Sequence, residues 1–258
     1  MKNFKKILLT MAMTMAFGTS AFAASGFEFL FQLAGGAGAA IPNKEAKDLG
    51  SGTGLSFDAD ISAQIGYMFQ VKEGFGISVL GELGYSWDMY FTGYGGSGSL
   101  SSNTSVNPPT YTYEGEDGVG ISEYYHSFKL GLLPKFNIGV GNKGAIAIGI
   151  GGGVKIPVAG NYWITTTTVG GPTTVKEDVQ SESEIALKRK DITDMFSPSV
   201  IGYMKVTFDY YLFFTDNIGM NFGLYLGGDF APKQKETKIG CNSFDIGLQL
   251  GFRFGPKA

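Results

Sequence analysis

Apolar and polar residues alternate with a period of two over long stretches of the chain. From Leu55 to Phe69 the odd positions read Leu55, Phe57, Ala59, Ile61, Ala63, Ile65, Tyr67 and Phe69. The even positions include Ser56, Asp58, Asp60, Ser62 and Gln64. A helix would mix these two sets, whereas a strand sends each to its own side. The same alternation recurs in seven further segments, at 27–33, 75–88, 124–136, 146–156, 200–210, 218–226 and 244–254. No Asp, Glu, Lys or Arg stands on the apolar face of any of the eight. A globular strand is usually about 5–6 residues long, while a tilted membrane strand needs about 9–11. A Lys or Arg facing mid-bilayer lipid costs about 2–4 kcal/mol, which accounts for a face free of charge. The pattern predicts an all-β protein: an eight-stranded antiparallel up-and-down transmembrane β-barrel.

The connections alternate as well. Short turns are expected near 71–74, 139–144 and 215–217, and long connections at 39–50, 92–119, 159–197 and 231–242. In an up-and-down barrel this gathers the long loops at one end and the short turns at the other. Outer-membrane barrels have long external and short periplasmic connections, so both termini are expected in the periplasm. Residues 163–180 read as a polar hairpin, which leaves a ten-strand count open beside the eight.

The N-terminus follows a different rule. Lys2, Lys5 and Lys6 precede an apolar run from Ile7 to Phe17, and Ala21-Phe22-Ala23 supplies small residues for cleavage. This reads as a signal peptide over 1–23, with the barrel domain at 24–258. Composition then narrows the chemistry. Gly occurs 40 times and aromatics make up 14% of the chain, while charged residues are only 17%. One Cys excludes an internal disulfide, one His excludes a His-based metal cluster, and a net charge of −3 offers no basic field for nucleic acid. No metal and no cofactor are expected.

Taken together, the signal peptide, the eight strands, the loop alternation and the last strand, Phe244 to Phe254, resemble the small eight-stranded bacterial outer-membrane barrels of the OmpA transmembrane domain, OmpX and opacity-protein type. The segment Phe128-Lys129-Leu130-Gly131-Leu132-Leu133-Pro134-Lys135-Phe136 is similar to a mid-barrel strand of such domains. The resemblance implies an outer-membrane location, contact with outer-membrane lipid, and insertion by the barrel assembly machinery, which reads a final strand ending on an aromatic. Here Phe254 is followed by four more residues.

Function is sought first in the lumen. Eight strands enclose an interior that side chains just fill. Glu28, Asp58, Asp60, Glu82 and Asp88 are expected inward from the first three strands, and Lys129, Lys155, Lys205 and Arg253 mostly from the fourth to sixth. Asp209 and Asp245 blur this separation, but one wall leans acidic and the other basic, and cross-lumen ion pairs between them would form either a polar plug or an ion-selective constriction. Gly149, Gly151 and Gly153 are expected to leave inward room for Tyr125 or Tyr225. A second surface is the pair of loops 92–119 and 159–197, whose Tyr94, Tyr111 and Tyr113 are candidate contacts for an extracellular or host ligand. No catalytic residues are expected. A lipid-modifying enzyme would need a His and a Ser on one face, and adjacent His126 and Ser127 fall on opposite faces of a strand. A third reading, a secreted lipocalin-like barrel with a greasy interior, would invert the two faces.

Overall fold

The computed structural model describes residues 25–48, 51–94, 98–103, 110–115, 118–168 and 179–257. The signal peptide expected at 1–23 lies outside the described residues. Eight strands form the body: β1 (Gly26–Pro42), β2 (Gly54–Lys72), β3 (Phe75–Tyr94), β4 (Gly118–Leu132, resuming over Lys135–Val140), β5 (Gly144–Thr168), β6 (Ile201–Thr215), β7 (Ile218–Phe230) and β8 (Cys241–Phe254). The interruption in β4 falls at Leu133-Pro134, where proline has no N–H to give. Leu133 N–H still donates to Leu80 O at 2.8 Å and Pro134 O accepts from Ile150 N–H at 3.1 Å, so the strand keeps its register across the gap.

Each strand pairs antiparallel with the next, and β8 pairs with β1, which closes the ring. The register is staggered. Following paired residues from Asp58 through Gly36, Gly247, Tyr225, Thr207, Gly149, Lys135 and Ser78 returns to β2 at Met68, ten residues from the start. With about 3.3 Å per residue and about 4.8 Å between strands, that stagger tilts the strands by about 40°.

The pleat then sorts the residues. Phe57, Ile61 and Ile65 are exposed on the outside, while Asp58 and Asp60 line the interior. Leu83, Phe128, Leu130, Ile150, Met204, Leu248 and Leu250 are also exposed apolar residues of the outer face. Glu28, Glu82, Asp88, Lys129, Lys135, Lys155, Lys205, Asp209 and Arg253 are buried. The inverted, lipocalin-like arrangement is therefore not the one adopted. From Phe244 to Phe254 the outward apolar row of β8 rises about 25 Å at this tilt, the height of an outer-membrane apolar band.

Short turns join β2–β3, β4–β5 and β6–β7 at one end of the barrel, here the turn end. At the loop end the walls are unequal. Above its pairing with β6, β5 pairs instead with a returning strand, Val179–Lys188. Lys188 stands opposite Ala159 and Ile201 opposite Lys155, so the returning chain spends thirteen positions where β5 spends four. The surplus folds inward as a short helix, α2 (Arg189–Met195), followed by Phe196. The 163–180 hairpin of the sequence is thus the upper continuation of a barrel strand, and the ring contains eight strands. Its Gly170-Gly171-Pro172 tip lies outside the described residues. Another helix, α1 (Lys44–Asp48), follows β1, and residues 98–103 and 110–115 form a separate two-stranded pair.

Candidate functional site

The lumen is built in layers, because inward side chains from strands of different register meet at one height. At the turn end Arg253, with none of its surface exposed, is the centre. Its Nη1 donates to Asn137 Oδ1 at 3.0 Å and its Nη2 to Pro256 O at 3.0 Å. Its Nε lies 3.1 Å from Glu28 Oε1, close enough for charge attraction but out of line for a hydrogen bond. The guanidinium also stacks 4.4 Å from the Tyr211 ring. Beside it, Lys135 Nζ donates to Asp209 at 2.9 Å. Two acids and two bases balance in this floor. Leu30, Leu80, Ala145, Ala147 and Phe213 fill the space around them.

The middle layer also balances. Lys205 Nζ donates to Glu82 Oε1 at 2.5 Å, Lys129 to Asp60 at 2.7 Å, and Lys129 lies 3.6 Å from the other Glu82 oxygen. Tyr203 OH donates to Glu82 Oε2 at 2.6 Å. The room for that ring comes from Gly131, where an added Cβ would fall 2.0 Å from Tyr203 OH.

The outer layer does not balance. Lys155 Nζ donates to Asp88 at 2.6 Å and to Asp229 at 2.7 Å, and Tyr90 OH donates to Asp229 at 2.9 Å. Asp58 has no basic partner among the described residues and accepts from Tyr225 OH at 2.6 Å. Asp245 accepts from Ser243 at 2.5 Å and from Ser56. Four aspartates of this layer therefore share one lysine; Asp58, Asp229, Asp245 and Lys155 border a small cavity that Asp60, Lys129 and Lys205 of the middle layer, with Tyr203 and Tyr225, also line.

Above this layer lies an apolar cap. Ile192 and Phe196, four positions apart, bury themselves against Tyr90, Tyr125, Tyr162, Leu187, Ile201, Ala231 and Cys241. Arg189 ties the insertion down through Pro157 O at 3.1 Å and Ser199 O at 2.6 Å. Residues 196–197 also pair with 233–234. Glu123, paired with Tyr90 and Tyr162, is buried at the level of the cap and accepts from Tyr125 OH at 3.2 Å.

Two expectations need correction. The expected cross-lumen ion pairs form, with Lys129, Lys155, Lys205 and Arg253 against Asp60, Glu82, Asp88 and Glu28. But the blurring by Asp209 and Asp245 goes further than a leaning of two walls, because with Asp229 they place acids on β6, β7 and β8. Charges are matched layer by layer, since a buried lysine needs its acid at its own height. Nor does Tyr125 or Tyr225 fill the space over Gly149, Gly151 and Gly153. Leu133 crowds Gly149 and Gly151, with Lys135 and Thr207 also against Gly149, while the Leu130 backbone abuts Gly153. Tyr225 lies instead over Gly36 and Gly247, where an added Cβ would fall 2.4 Å from its hydroxyl, and Tyr125 joins the cap.

On the outer face, His126 Nδ1 lies 2.6 Å from Tyr85 OH, while Ser127 is buried on the inner side. The side chains of Tyr94, Tyr111 and Tyr113 lie outside the described residues. Asp229 and Glu123 extend the inward rows Tyr225-x-Gly227-x-Asp229 and Glu123-x-Tyr125-x-Ser127. That continued period of two was the signal that both belonged to the lumen.

No family model and no curated protein matches the chain. Among solved structures it is similar to the outer membrane protease OmpT of Escherichia coli, at 9% identity over 92% of this chain and 99% of that one, with a TM-score of 0.39. It is also similar to Neisserial surface protein A, at 11% identity over 89% and 99%, TM-score 0.36. A third is Ail, the attachment invasion locus protein of Yersinia pestis, at 8% identity over 90% and 100%, TM-score 0.27. At these values the likenesses carry no weight for function, and the eight-stranded ring rests on the strand pairings above.

Proposed function

We propose that the protein is an integral outer-membrane β-barrel, non-enzymatic, whose work is done by its exposed surface and not by passage through its lumen. One observation carries the membrane reading. Among the described residues the outer face of the eight strands is apolar and free of charge, with Phe57, Ile61 and Ile65 outside and Asp58 and Asp60 within. In water such a continuous apolar belt would be an aggregation site; in a bilayer it is the solvated surface. The barrel assembly machinery would insert it, with the long connections extracellular and both termini periplasmic.

The lumen supports a scaffold over a channel. Ions would have to pass the Arg253 floor, a balanced layer at Glu82 and the Ile192–Phe196 cap, which together leave at most a very narrow path. The parts free to meet an extracellular or host ligand are the loops within 92–119 and 159–197. Refolded protein in a planar bilayer should give no resolved single-channel steps, and stable openings would overturn the scaffold reading. Heat-modifiable migration in detergent gels is expected for the barrel. Recovery as a soluble periplasmic protein would sink the membrane reading.

A further inference from the structure

The barrel is taller on one side, and an aromatic ridge stands on that taller wall. Trp163 of β5 lies eight residues beyond Lys155, one of them absorbed by the irregularity where His126 faces Ala159 and Ser127 faces Pro157. At the strand tilt this lifts it about 17 Å above the outer charge layer. On the far side β6 begins at Ile201, paired with Lys155 itself, and β7 ends at Phe230. The ridge is continuous. Trp163 meets Tyr124 at 4.7 Å and 67°, Tyr124 meets Phe91 at 5.9 Å and Trp87 at 6.2 Å, and Phe91 meets Phe57 at 6.3 Å. Both tryptophans of the chain are on it. Below it lies the Tyr85–His126 pair, and exposed Lys188 shares the Ala159 row with His126 on the same face.

We infer that this ridge seats the phosphorylated saccharide headgroup of an outer-leaflet glycolipid. The inference rests on the membrane reading above. The ridge continues the lipid-facing surface without a break, yet its top rises past the height of the apolar band. Acyl chains therefore end below it, and headgroups are what it meets. Aromatic faces carry negative charge density and pack on the weakly positive C–H faces of sugar rings, while amphipathic Tyr and Trp suit a boundary that is apolar below and wet above. Lys188 supplies a cation for a phosphate at the same rim.

The two tryptophans make the test site-specific. Trp163→Phe leaves only Trp87, and Trp87→Phe leaves only Trp163. Each variant is refolded into phosphatidylcholine vesicles with or without lipopolysaccharide, and gel migration verifies folding. Trp87 should be quenched by acyl-brominated phosphatidylcholine; if it is not, the membrane reading itself fails. Trp163 should escape that quencher and be open to aqueous acrylamide in phosphatidylcholine alone. Lipopolysaccharide should shield it at least threefold, and Tyr124→Ala should reduce the shielding. Equal acrylamide quenching with and without lipopolysaccharide overturns the proposal while leaving the barrel intact. So does quenching of Trp163 by brominated chains, or equal shielding by the de-acylated soluble oligosaccharide.

Discussion

At the turn end of the lumen Arg253 and Lys135 meet Glu28 and Asp209 one for one, and apolar side chains pack around them. At the loop end four aspartates share Lys155, three of them beside a cavity, and hydroxyls take the place of missing cations at Asp58 and Asp245. Both regions are polar interiors of the same barrel, but they answer different constraints. The floor is fully buried, so each charge must have its counter-charge at contact. The outer layer adjoins space and hydroxyl donors, so it tolerates unneutralised acids.

The largest effect should come from Arg253→Ala, which strands Glu28 in the buried floor and removes the stack on Tyr211. A loss of about 3–5 kcal/mol is expected, read as an earlier midpoint in urea unfolding of the refolded barrel. Glu82→Gln should follow at about 3 kcal/mol, because Lys129, Lys205 and Tyr203 all converge on that carboxylate. A cost as small as that of a surface change would mean the middle layer resembles the outer one.

Gly131→Ala probes packing together with the Tyr203–Glu82 hydrogen bond. The added methyl must displace Tyr203, and a cost of about 1–3 kcal/mol is expected by the same titration. Smallest should be Asp58→Asn, which removes a charge without a cation and keeps an acceptor for Tyr225. A change within about 1 kcal/mol is expected. A loss comparable to Glu82→Gln would abolish the distinction between the two ends.

How far these regions can be read from the chain also differs. The strands and the inward position of every charge named in them follow from a period of two, which needs no partner to be seen. Lys129, Lys155 and Lys205 are legible one at a time for that reason. Their pairing is not, because it depends on a ten-residue stagger set by closure of the whole ring. Hence acids and bases read as opposing walls when they are stacked layers. The cap escaped notice for another reason. Ile192 and Phe196 sit in a charged stretch beginning Lys188-Arg189-Lys190-Asp191, which looks like solvated loop. Only their spacing of four, compatible with one helical face, hinted at burial. Asp229 and Glu123 were missed because strands β7 and β4 run farther than the run of large apolar residues does.

The surplus between Lys188 and Ile201 has one more consequence. It enters and leaves four positions apart on one strand, so the ladders on either side do not depend on what lies between, and Arg189 to Pro157 O is its bond to the wall between them. The stopper of this vessel behaves as a cassette. Replacing it with a brief linker should uncork the barrel and leave its staves in place, and any other segment spliced there would hang over the mouth.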